Sequence, residues 1–225
     1  MAFSFSTALR ASALLATVAI AHPALADVEI FQTATTDPAA LGFDNTLTLL
    51  GDGTTDNSHV FGADFTVTST TNISAIGAAF ANTTNTPDLI GTASSGAIFG
   101  AIVRVDPTTG LPTQPLENLA SITLGEVLFT PTQDGDTTAA LSLQLQAGTY
   151  GIVFGSGLFG ATGVADLLTG EDTVGSPDVF ENAFAPFGPG QESNVRLFVD
   201  AVPEPASAAL LGAGLLLAGL VRRRV

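Results

Sequence analysis

Cysteine is absent from the 225 residues, as are lysine and tryptophan, and Tyr150 is the single tyrosine. Without cysteine there can be no disulfide, no thiol nucleophile and no thiolate metal site, so stability must come from a packed core. Without tryptophan, and with one tyrosine, the usual platforms for stacking sugars are missing. Histidine is scarce too, at His22 and His59. Positive charge is the fourth shortage: six arginines face 21 acidic residues, for a formal charge of −15. A surface of that sign repels nucleic acid and anionic lipid, and suits solubility, divalent cations or a salty medium.

The two ends differ from the middle. Arg10 is the only charged residue before Asp27, Ala11 to Ala21 is mostly apolar, and Ala24-Leu25-Ala26 places small residues where a signal peptidase reads them. Residues 1–26 therefore read as a secretory signal peptide, helical in its apolar part, with cleavage before Asp27. At the other end Val202-Pro203-Glu204-Pro205 precedes an uncharged run from Ala206 to Val221 and then Arg222-Arg223-Arg224. As a helix that run is roughly 24 Å long, a little short of the ~30 Å hydrocarbon core, and the arginines can extend it by snorkelling. No polar residues recur at helical spacing, which argues against a soluble amphipathic helix. The arginine cluster predicts a cytoplasmic C-terminus with the body outside.

Residues 27–201 remain as one domain. They hold 20 of the acids and only Arg104 and Arg196 among the bases, a formal charge of −18. The pattern predicts strands at 28–32, 60–69, 73–80, 98–105, 122–130, 139–145, 149–154 and 194–199. Alternation is clear where Phe61, Ala63, Phe65 and Val67 share a face, and again at Leu141, Leu143 and Leu145. Ile98 to Val105 is almost continuously apolar, as befits a central strand buried on both faces. Residues 155–193, rich in glycine, proline and phenylalanine, read as a long ordered loop with one helical turn near Val164 to Leu168. The expected fold is all-β, an antiparallel jelly-roll-like sandwich flanked by a signal-peptide helix and a C-terminal transmembrane helix.

Few residues suggest chemistry. Asp52-Gly53-Thr54-Thr55-Asp56-Asn57 spaces oxygen ligands on a glycine-bent loop, the way calcium loops are built, and names Asp52, Asp56 and Asn57 as ligands. Asp134-Gly135-Asp136 and the pair Glu171 and Asp172 are weaker versions. Ordinary turn chemistry accounts for the same residues. His59 is the one histidine of the body, and Asn57-Ser58-His59-Val60 carries no nucleophile-elbow pattern. A glycosidase needs two facing carboxylates, and nothing singles out a pair among 20 acids. Phe159, Phe180, Phe184 and Phe187 read as a loop packing on itself. Gly155-Ser156-Gly157-Leu158-Phe159-Gly160 fits a dinucleotide fingerprint formally but lacks the βαβ unit.

The order Val202-Pro203-Glu204-Pro205, apolar run, Arg222-Arg223-Arg224 resembles the PEP-CTERM sorting signal of Gram-negative bacteria. The resemblance covers residues 202–225. It implies export through the Sec and signal peptidase machinery, passage through the inner membrane and recognition by an exosortase, with processing near Pro203-Glu204-Pro205. It also implies a destination at the cell surface or in an exopolysaccharide or biofilm matrix. Leu145-Gln146-Ala147-Gly148-Thr149-Tyr150 is similar to a corner in the β-sandwich bodies found before many such tails, which implies a fold and no activity. Three functions stay open: a non-enzymatic surface or matrix protein without a cofactor, a calcium-dependent carbohydrate-binding module, and a secreted hydrolase. Nucleic acid is not an expected partner.

Overall fold

The structure is a computed structural model that describes residues 26–35, 48–50, 60–81, 95–131, 135–168, 173–175, 179–182, 187–189 and 195–203. Twelve strands carry it. In chain order they are β1 (Val28–Gln32), β2 (Thr48–Leu50), β3 (Val60–Val67), β4 (Thr71–Ala81), β5 (Ile98–Arg104) and β6 (Thr123–Phe129). The chain continues with β7 (Gly135–Leu145), β8 (Gly148–Gly155), β9 (Ala165–Leu167), β10 (Val179–Asn182), β11 (Gly188–Pro189) and β12 (Leu197–Val202). A 3-10 turn at Leu116–Ser121 precedes β6. Every pairing between named strands is antiparallel.

Two six-stranded sheets result. The first runs β1-β12-β4-β9-β2, with β7 along the other edge of β4. The second runs β11-β10-β3-β8-β5-β6. Alternating residues of β3, β5 and β8 in one sheet and β4, β7 and β12 in the other bury Phe61, Phe65, Ile76, Phe80, Ile102, Leu145, Phe154 and Val199 in one shared core. Each such side chain contributes about 1.5–3 kcal/mol by leaving water. Phe80, Phe129 and Phe154 meet edge to face there, with ring centroids 5.6–6.0 Å apart.

The second sheet is buried on its outer face as well, as the apolar run from Ile98 predicts. Phe99, Ala101 and Val103 of β5 and Val153 of β8 pack under a cover made by Leu119, Ile122, Ala161, Phe180 and Phe187. In the first sheet Gly77 lies beneath Phe198; a Cβ there would stand 2.1 Å from the ring.

The long loop expected over 155–193 is in part sheet. Within it β9 pairs with β2 and β4, and β10 pairs with β3 and β11. Ala165, Asp166 and Leu167 are all buried in a strand where a helical turn was expected. Strands of two to four residues are too short to show a period of two; β9 and β10 form through long-range pairing with β2, β4 and β3, while β11 joins only its near neighbour β10. Among the described residues no helix is long and apolar enough to cross a membrane. The two expected terminal helices lie outside the described residues, apart from the last signal residue, Ala26.

Candidate functional site

Three places in the described structure gather polar groups. The first is the loop leaving β5. Val105 bridges to Pro112, so the chain doubles back immediately after the strand. Asp106 holds the turn: its Oδ1 accepts from the Thr108 N–H at 2.7 Å, and its carbonyl accepts from the Thr109 and Gly110 N–H groups at 3.2 and 2.8 Å. Gly110 has φ 69°, where a side chain would be strained, and Asp64 lies against it. Beside this loop opens a cleft of about 520 Å³. Its apolar members are Leu111, Pro112, Pro115 and Phe187, the last packed edge-on to Phe180 with centroids 5.7 Å apart. Its polar members are Asp106, Thr109, Thr113 and Gln114. Neither Asp106 Oδ2 nor the Gln114 amide makes a hydrogen bond among the described residues.

The second place is Arg196, which is 5% exposed. Its Nε donates to both oxygens of Asp136 at 2.9 and 3.0 Å, and Nη2 donates to Glu29 Oε2 at 2.9 Å. Nη1 donates to Gln32 Oε1 and to the Ala34 carbonyl, each at 2.6 Å, and the guanidinium carbon lies 4.8 Å from the centre of the Phe198 ring. Burial alone would lower the pKa of this group; the bonds and charges of Asp136 and Glu29 outweigh it and raise the pKa above the usual arginine value. Next to the cluster, Asp200 is pushed upward by burial first and then by Glu29 and Asp27.

The third is Asp166, 1% exposed. Its neighbours Ala165 and Leu167 turn into the core, so its side chain stands on the opposite face of β9. Oδ2 is buried without a hydrogen-bond partner. Burial pushes its pKa up to about 6.

The sequence-predicted calcium ligands Asp52, Asp56 and Asn57 lie outside the described residues, as do His59, Asp134, Glu171, Asp172 and Phe184. Asp136 is described, and its carboxylate is engaged by Arg196. Among the described residues no group of three or more His, Cys, Asp or Glu could hold a metal ion. The Gly155 to Gly160 stretch is a turn with positive φ at Gly157, Phe159 and Gly160, not a strand-to-helix junction. Phe159 and Phe180 pack on the outer face of the second sheet, as self-packing predicts. Phe187 does so too, and it also lines the cleft. Ala26, Asp27, Val202 and Pro203 are described, whereas Ala24, Glu204, Pro205, and Arg222 to Arg224 are not.

Sequence reasoning missed Arg196 and Asp166. Each had one signal: a lone charge inside an apolar strand-like stretch, Val195-Arg196-Leu197-Phe198 and Val164-Ala165-Asp166-Leu167. Set against known proteins, the chain matched no family, no curated protein and no solved structure.

Proposed function

We propose that this chain is an exported, non-enzymatic protein of the cell surface or extracellular matrix of a Gram-negative bacterium. Its β body crosses the inner membrane, and its tail is then processed by an exosortase. The observation that carries the reading is the order of the tail: Val202-Pro203-Glu204-Pro205, an uncharged run, three arginines. The limits of the folded strands support it. β1 begins at Val28, one residue after the expected cleavage between Ala26 and Asp27, and β12 ends at Val202, where the motif begins. Val28 pairs with Ala201, so the body enters and leaves its sheet at the same end. The jelly-roll likeness belongs to the same reading, supported by a chain that passes between sheets from β3 to β4, β4 to β5, β6 to β7 and β7 to β8.

The test is intact mass and cell fractionation. Replacing Pro203, Glu204 and Pro205 by alanine should leave insertion intact, because the motif lies outside the hydrocarbon, and should leave an unprocessed, heavier protein in the membrane fraction. Leu216→Asp, near the middle of the run, should weaken membrane arrest by roughly 3 kcal/mol on insertion scales. If the alanine variant matures and leaves the membrane like the wild type, the tail is no sorting signal.

A further inference from the structure

We propose that the cleft beside the β5 loop is a binding site for an uncharged sugar ring, such as a neutral hexopyranose unit of a glycan. The proposal rests on the cleft alone and not on the tail. At about 520 Å³ the cleft is of small-molecule size, within the usual range of ~300–1,000 Å³.

Its lining has two chemistries on two levels. Pro112 and Phe187 are buried, while Thr109 and Thr113 are exposed. Asp106 Oδ2, the Gln114 amide and the Thr113 hydroxyl have no hydrogen-bond partner among the described residues, so they can exchange water for a ligand. A pyranose has the complementary division: an apolar C–H face and a rim of hydroxyls that both donate and accept. A purely apolar ligand would leave Asp106 and Gln114 without partners. An anionic ligand would meet Asp106 at the rim and a body of formal charge −18.

The loop is also set before binding. The Asp106 turn is closed by its own hydrogen bonds, and Pro107, Pro112 and Pro115 fix the backbone around it. Little ordering is therefore lost on association. Phe187 is 9% exposed and offers little of its ring, so the site holds one ring weakly rather than a stacked chain.

The experiment uses the full chain in a phosphocholine detergent, because sugar-headed detergents would compete. Saturation-transfer NMR is run with the methyl pyranosides of glucose, galactose and mannose, with methyl glucuronide, and with a short proline-rich peptide. Transfer to the ring protons of at least one neutral pyranoside is expected, with a Kd on the order of 1 mM, the usual yield of so small a ligand. Thr113→Trp should fill the cleft and weaken binding by at least about 10-fold, and Gln114→Ala, which removes one hydrogen-bonding group, by about 5-fold. Both positions lie on the loop surface, and unchanged melting would show that the fold survives; if Thr113→Trp does not fold, Gln114→Ala decides. No transfer from any neutral pyranoside, equal affinity in the variants, or preference for the glucuronide or the peptide would overturn the assignment.

Discussion

Arg196 and Asp166 are both buried charged side chains in the first sheet, or bonded to it, and the protein treats them in opposite ways. Arg196 has an acceptor for every nitrogen, two of them carboxylates, and an aromatic ring beneath it. Asp166 has a buried oxygen with none. Burial acts on both, and the outcome depends on the neighbours: the arginine stays charged, and the aspartate is driven toward its neutral form. A buried charge is therefore not one kind of feature here. One joins strands from the two ends of the chain, and the other is a standing cost that varies with pH.

The largest expected effect comes from breaking the satisfied side of that contrast. Arg196→Met keeps bulk and removes charge, leaving Glu29 and Asp136 facing each other without their shared partner. A loss of about 3–5 kcal/mol is expected, read as a lower urea midpoint. The loss should concentrate on β1, since Glu29, Gln32 and Ala34 reach the rest of the sheet partly through that guanidinium. The ladder with β12 and Thr33, bonded to the Val195 and Leu197 backbone, would then hold the strand without its side-chain clamp. Proteolysis between residues 26 and 35 should accelerate in the variant. A loss below about 1 kcal/mol would place Arg196 among ordinary surface pairs and remove the contrast.

Asp166 gives the second effect, of opposite sign. Its pKa rises from 3.8 unfolded to about 6 folded, so the folded state holds the proton more tightly. Its contribution is most favourable below the unfolded value, fades as pH rises through the folded value, and is flat above it. Asp200 is shifted in the same direction and adds to the same slope. The wild type should lose stability between about pH 4 and pH 7. Asp166→Asn should remove much of that slope and gain about 2 kcal/mol at pH 8, less than the full shift implies because surroundings relax around a buried charge. Chemical denaturation at pH 4, 6 and 8 decides the matter. A variant that is less stable at pH 8 would show that the ionised carboxylate has a function in the fold.

The same two residues explain what the sequence could and could not reveal. Long strands announce themselves: Phe61, Ala63, Phe65 and Val67 of β3 share the core face, β7 alternates from Ala139 to Leu145, and β5 is apolar through both faces. The all-β class was legible for that reason, as were the bounds of β3 to β6 and β8 to within two residues; β7 begins at Gly135, four residues before the expected Ala139, in a stretch that reads as a turn. β9 has three residues, and its partners β2 and β4 lie far along the chain; β11 has two and pairs only with its near neighbour β10. Nothing local marks them. Arg196 is visible in the sequence as a charge among apolar residues, but its partners come from residues 29, 32, 34 and 136, and no spacing rule joins those positions. The cleft was legible only in pieces. Asp106 to Gly110 reads as a turn, but Phe187 joins it through the pairing of β10 with β3 and β11.

The smallest effect tests whether an unpartnered buried group costs the fold something when it carries no charge. Thr137 on β7 has a buried hydroxyl without a hydrogen-bond partner, as does Ser74 at the β4 bulge. Thr137→Val keeps the branched shape that a strand favours and removes only the hydroxyl. The native threonine gave up a water hydrogen bond on folding without recovering one, a cost of about 1–3 kcal/mol for a fully buried group. Thr137 is half-buried as a residue, so a gain near the lower limit, about 1 kcal/mol, is expected, with no change between pH 4 and pH 8. That pH independence separates it from Asp166→Asn, whose gain should vanish in acid. If Thr137→Val instead destabilises, the hydroxyl has a partner in the folded protein, and Asp166 and Ser74 would remain as the unsatisfied buried groups of the sheet.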